Sequence, residues 1–205
     1  MADDTRSRIS ADNQAFLEKL GLPTEFVAKL LVEEDWSFVV KVHALIEAAV
    51  THALIYRLNL PEAHKFLARL QLGAAGNGKL AFAEAVGLIP PAAKSFVRGL
   101  SEVRNMLVHD VRNVHVDLRR FFEQMPPDRM VSCARRLCYV IPDVPFAEMT
   151  NEVVAARLLS DPKGAIWDST AFFLFGVDKR AQIELLEERN AVVQSMLAGD
   201  RGRGE

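Results

Sequence analysis

Residues 35–58, DWSFVVKVHALIEAAVTHALIYRL, constrain this chain more than any other stretch. At about 100° per residue, Trp36, Val39, Val40, Val50, Leu54 and Leu58 share one helix face, and the opposite face, with Val42, Leu45, Ala48 and Ala49, is also largely apolar. A helix apolar nearly all round leaves no side for water, so it belongs at the centre of a helical bundle. His43 and Glu47 fall in the middle of the first face. A buried carboxylate needs a cationic or hydrogen-bonding partner, because leaving it unpaired is costly or forces it to take up a proton. His43, one turn earlier, is one such partner, and the two together also read as a core polar pair that fixes helix register.

Elsewhere apolar residues also recur at helical spacing, and Pro or Gly punctuates the runs at Gly21, Pro23, Pro61, Gly87, Pro90, Pro126, Pro142 and Pro162. The pattern predicts helices over 10–20, 24–33, 35–58, 62–72, 78–87, 91–110, 115–124, 128–140, 146–160 and 163–198, the last broken near Gly176. VIPDVPF, 140–146, reads as an irregular connector. The expected fold is all-α: a helical pair over 1–33, a compact bundle over 34–140, and a C-terminal helical appendage over 141–205 that packs on the bundle.

A length of 205 residues with half of them apolar is enough for a substantial core, and a net charge of −2 gives no global reason to expect a nucleic-acid coat or an anionic membrane. Cys133 and Cys138 are the only cysteines; their spacing makes neither a disulfide framework nor a metal pair. The polar start MADDTRSRIS lacks the apolar core of a signal peptide, and no apolar run reads as a bilayer span, so the expected location is the cytoplasm. GAAGNGKL, 73–80, fits the G-x-x-x-x-G-K spacing of a phosphate loop, yet Leu80 stands where a magnesium-binding hydroxyl is needed and a helical segment precedes it. It reads instead as a turn joining two helices, with Lys79 near the start of the second.

The helix at 91–110 carries a second polar feature, within SEVRNMLVHD. With Arg98 at zero, Glu102, Asn105, His109 and Arg112 all fall within about 40° of it, opposite Phe96, Leu100, Val103, Leu107 and Val111. Arg104 lies about 140° from His109 and flanks the apolar side, so its guanidinium must be paired, snorkel to solvent or enter a cleft. Glu47 is the expected partner. Side chains so far apart on one straight helix cannot face one small substrate unless the helix ends near His109 or a second copy completes the site.

SEVRNMLVHD resembles the Arg-x(4–6)-His signature of HEPN domains, with the polar Asn105 directly after the arginine. FVVKVHALIEAAVTHAL and GNGKLAFAEAVGLIPPAAKSFVRGLSEVRNMLVHD extend the resemblance toward the subgroup that includes mannitol repressor proteins, over about residues 35–115. The resemblance implies a HEPN-like bundle that pairs into a homodimer through its motif helices. Active members are similar to metal-independent endoribonucleases, in which the RNA 2′-hydroxyl attacks the adjacent phosphate and leaves a 2′,3′-cyclic phosphate and a 5′-hydroxyl. Carried over, Arg104 stabilises charge on the phosphate, His109 transfers a proton, and Asn105 orients substrate or histidine, with His43 and Glu47 in support and no metal or cofactor required. The alternative implied by the mannitol repressor-like subgroup is a non-enzymatic regulator acting on a protein partner. A tyrosine two residues after the histidine, present in some toxin members, is replaced by Val111.

Arg98, Arg112 and His115 are accessory candidates for RNA binding, and Arg119, Arg120, Arg129, Arg135 and Arg136 extend a basic track beyond them. No DNA-reading motif is recognisable, so direct DNA binding is not expected. Phe172, Phe173 and Phe175 beside Trp167 read as core or dimer interface, and DKRAQIELLEERN, 178–190, as an exposed helix with i,i+4 charge pairs.

Overall fold

Asp35 and Asn59 define the ends of the central helix. In a computed structural model, the backbone is described for residues 2–74 and 76–201, and side-chain surroundings for residues 10–74, 76–183, 186, 187 and 190. After α1 (Ala2–Lys19) and the short α2 (Phe26–Val32), α3 spans Asp35–Leu58. Asp35 lies in its first turn, where a carboxylate complements the helix dipole, and accepts a hydrogen bond from the Leu118 amide at 2.8 Å. Asn59 ends the helix in the left-handed conformation, φ 50°, with its N–H directed to the last carbonyls. Between these ends Phe38, Val39, Val42, Ile46, Ala49, Val50 and Leu54 are completely buried.

The chain then makes a 3₁₀ turn and α4 (His64–Leu67), followed by α5 (Lys79–Ala85), α6 (Pro91–Val108), a 3₁₀ turn over Val111–His115, α7 (Leu118–Glu123), α8 (Pro127–Leu137), α9 (Asn151–Ser160) and α10 (Pro162–Arg201). Among the described residues there is no strand, and the fold is an all-α bundle. α6 runs against α3 in the opposite sense: Ser101 meets His43, and the turns after α6 return to Glu34 and Asp35 at the start of α3. α10 starts beside the same end, where Lys163 pairs with Asp35 at 2.9 Å. It then runs along α3 and adds Ile166, Phe173, Leu174 and Val177 to the core. α1 lies on α10 through Asn13 Nδ2 donating to the Ala171 carbonyl at 2.9 Å and the ion pairs Lys179–Asp12 and Lys19–Asp178. α8 covers the outer side of α6 so closely that a Cβ on Gly99 would come within 2.9 Å of Arg136 Cβ. α9 packs on α8 and α10.

Several element boundaries differ from the pattern in the sequence. Residues 62–72 are helical only as far as the first turns, and the 146–160 segment begins as a 3₁₀ turn, with its α-helix starting after the Thr150 N-cap. α10 continues straight through Gly176. A glycine inside a helix costs about 1 kcal/mol relative to alanine, too little to break one that buries Phe173, Leu174, Val177 and Ala181 on either side of it. α3 also proves long and apolar enough to cross a bilayer, contrary to expectation; with 56% of its apolar window buried inside the bundle, it is equally the core helix of a soluble protein.

Candidate functional site

The turn that looked like a phosphate loop holds a buried cation. Hydrogen bonds from the Gly78 amide to the Ala74 carbonyl, from Lys79 to Gln71 and from Leu80 to Leu72, all 3.0–3.1 Å, fold the segment back on itself and set Lys79 as the first residue of α5. Lys79 is only 2% exposed, and its Nζ lies 2.7 Å from Glu47 Oε1. Glu47 is therefore paired with Lys79, and the expected Glu47–Arg104 contact does not form. A buried ammonium demands such a partner more strongly than an arginine that can reach a cleft. α5 is closed by Gly87 at φ +80°, whose N–H bonds to the Glu84 carbonyl at 3.0 Å and hands the chain to the buried Leu88 and Ile89.

Gly78 is fixed by space. A Cβ there would lie 2.7–2.8 Å from backbone atoms of Ala74 and Gln71. Gly78→Ala is accordingly expected to lower stability by about 1–3 kcal/mol, read from urea denaturation. An unchanged midpoint would show that the turn relaxes without strain.

Between α3, α6 and this turn lies a cavity of about 920 Å³, lined among others by His43, Glu47, Gln71, Arg98, Arg104 and Asn105. α6 starts with proline at its first position, which suits an amide that has no helical acceptor, and buries Phe96, Leu100, Val103 and Leu107 against the bundle. That anchoring turns Arg98, Ser101, Arg104 and Asn105 toward the opening. Arg104 Nη1 donates to Asn105 Oδ1 at 3.0 Å. The neighbouring amide thus steadies the guanidinium without neutralising it.

His43 is bound to Ser101, with 3.1 Å between Nε2 and Oγ. The Ser101 hydroxyl donates to the Val97 carbonyl at 2.8 Å, so in this contact it accepts and the imidazole proton resides on Nε2. Burial pushes the His43 pKa below its ordinary value; the Arg104 charge pushes it further down and Glu47 opposes them. The ring is neutral at pH 7.

His109 is the residue that caps the C-terminal end of α6; it is exposed and lies outside the cavity lining. The structure therefore brings Arg104, Asn105, Arg98, His43 and Glu47 together and leaves His109 at the helix end. Arg112 forms an ion pair with Asp110 at 2.7 Å, and His115 faces Glu34 at 3.3 Å; both are exposed and neither lines the cavity. Glu102, expected beside Arg98 on the polar stripe, is held by both terminal guanidinium nitrogens of Arg136, Nη1 and Nη2, at 2.6 Å, which keeps its carboxyl below the usual range.

The extended basic track is largely committed to structural contacts. Arg119 pairs with Glu123, Arg129 donates to Met106 Sδ, and Arg135 to Asn151 Oδ1 and the Met149 carbonyl. Phe173 is core, whereas Phe172 is partly exposed and stacks edge-on against Tyr139. The segment from 178 is less exposed than its composition suggests, since Asp178 and Lys179 are held by α1; residues 184, 185, 188 and 189 lie outside the described side chains. Burial raises the Cys133 thiol to about 11 and the Cys138 thiol to about 12, so both are protonated and unreactive. Among the described residues, no three His, Cys, Asp or Glu side chains are grouped to hold a metal.

The residue that sequence reasoning missed is Lys79. Its signal was the lysine of GNGKLAFAEAVGLI within the stretch that carries the resemblance, hidden by a glycine-rich context that also fits a solvent-exposed turn. No protein-family model, curated protein or solved structure matches the chain.

Proposed function

We propose that this is a cytoplasmic, dimeric HEPN-type protein that handles single-stranded RNA and cuts it by attack of the 2′-hydroxyl on the adjacent phosphate, without a metal. The observation that carries the reading is the charge state of the cavity: Arg104 and Arg98 line it, while Lys79 has taken Glu47 and Arg136 has taken Glu102. Two guanidinium forks not bound to those carboxylates suit a phosphodiester, to which arginine donates in a planar bidentate manner. Asn105 holds the Arg104 fork in place.

His109 lies at the end of the same helix, so one copy supplies the phosphate-binding arginines and a second copy brings its histidine to the opening. Light scattering at micromolar concentration is expected to give twice the mass of one chain. A monomer would leave the arginines and histidine apart and favour the reading as a mannitol repressor-like regulator, which needs no composite site. The exposed position of His109 is the observation on which that second reading rests.

The direct test pairs two labelled oligonucleotides of one sequence, in chelator. The 2′-hydroxyl form is expected to be cut, and the 2′-O-methyl form, which lacks the nucleophile, to bind and stay whole. Cleavage of both would exclude 2′-hydroxyl attack, and binding without cleavage of either would exclude the nuclease reading.

A further inference from the structure

We infer that His43, and not His109 alone, is a catalytic residue of this cleft: held by Ser101 beside Arg104, it takes the proton from the attacking 2′-hydroxyl. The inference rests on the nuclease reading and assigns it a base that the Arg-x(4)-His motif does not contain. His43 is the histidine that shares the cavity with Arg98, Arg104 and Asn105 in a single copy. It is half-buried on the central helix, and its Nε2–H is tied to Ser101 Oγ, which leaves Nδ1 as the ring's basic nitrogen. A general base must be unprotonated and held within reach of the proton it takes, and the Ser101 contact fixes the ring's orientation.

The charges around the ring act together. Arg104 faces it from α6, with Arg98 and Glu102 on the same cavity wall. Glu47 lies one turn along α3 and is held by Lys79 of α5. From α10, Lys163 and Asp178 are engaged at Asp35 and Lys19. Burial first, and the Arg104 charge after it, hold the imidazole below its ordinary value, with Glu47 opposing them.

The step balances without a co-reactant. The 2′-oxygen bonds to phosphorus as its proton passes to His43 Nδ1; the bond from phosphorus to the 5′-oxygen breaks, and that oxygen takes a proton from the acid at the cleft, the role left to His109. The products are a 2′,3′-cyclic phosphate and a 5′-hydroxyl. Water returns the two histidines to their starting protonation states.

The test compares wild type, His43→Gln and Ser101→Ala on a labelled single-stranded RNA across pH. Glutamine keeps a donor for Ser101 but has no basic nitrogen. His43→Gln is expected to lower kcat by about 100-fold or more, to leave the affinity for the 2′-O-methyl oligonucleotide unchanged, and to abolish the acidic limb of the pH–rate profile. Ser101→Ala keeps the imidazole and removes its acceptor, so the acidic limb is expected to persist and to move. Within one copy Ser101 is hydrogen-bonded to His43 and not to His109, so a limb that moves with Ser101→Ala is assigned to His43. His43→Gln with parental kcat, or an acidic limb unmoved by Ser101→Ala, overturns the assignment while the nuclease reading stands. Wild type that cuts no RNA overturns both. If His43→Gln melts below the assay temperature, the shift caused by Ser101→Ala decides alone.

Discussion

Arg104→Ala is expected to slow RNA cleavage by about 100-fold or more, the loss usual when one donor to a developing phosphate charge is removed. The thermal midpoint should barely change, because Arg104 is hydrogen-bonded to Asn105 and lines a cavity, so its removal leaves no buried carboxylate alone. His109→Ala is expected to be as damaging to rate, through loss of proton transfer, and equally mild for the fold, since His109 is an exposed helix cap. The two defects differ in their partners. In a dimer with composite sites, mixing Arg104→Ala with His109→Ala protein should restore part of the activity, because half of the sites in a mixed dimer then carry both residues. Cleavage by Arg104→Ala at the parental rate would remove the guanidinium from the mechanism.

Glu47 and Lys79 are expected to respond asymmetrically to substitution. Glu47→Gln leaves an ammonium that is 2% exposed without its counter-charge and should destabilise the fold by about 3 kcal/mol. This is the low end for a broken buried pair, as the carboxylate side is 36% exposed and water already reaches it. Lys79→Met removes the buried charge itself, fills similar volume, and leaves Glu47 hydrated at the cavity rim; a change within about 1 kcal/mol is expected. Urea denaturation of both variants measures the contrast. Equal losses from the two would mean that the pair acts as a net stabilising bond, and no loss from Glu47→Gln would mean that Lys79 finds water or another acceptor.

How far the sequence reveals this molecule depends on the distance over which each interaction acts. α3 is legible as the central helix because both its faces are apolar, and the 140° separation of Arg104 from His109 follows from helix geometry alone. The Lys79–Glu47 pair is not legible, because it joins residues 32 apart and depends on a turn closed by backbone hydrogen bonds and by the absence of a Cβ at Gly78. Local propensity likewise fails at Gly176, where packing on both sides of the glycine overrides its weak helix preference. His43 is legible as a polar intrusion on an apolar face, but its tautomer and its place beside Arg104 emerge only when α6 is laid against α3 in the opposite sense. The helical stripe groups Glu102 with His109, and the fold separates their roles by giving Glu102 to Arg136 of α8.

In the proposed reaction the cleft beside Arg104 directs a 2′-hydroxyl onto its own phosphodiester. The chemistry of the product ends, read by mass spectrometry after wild-type protein is incubated with single-stranded RNA in chelator near pH 7, tests that reaction directly. Fragments ending in 2′,3′-cyclic phosphate, each matched by a 5′-hydroxyl partner, are expected, and so is their disappearance with Arg104→Ala. Fragments ending in 3′-hydroxyl, or RNA left intact by a folded dimer, would contradict it.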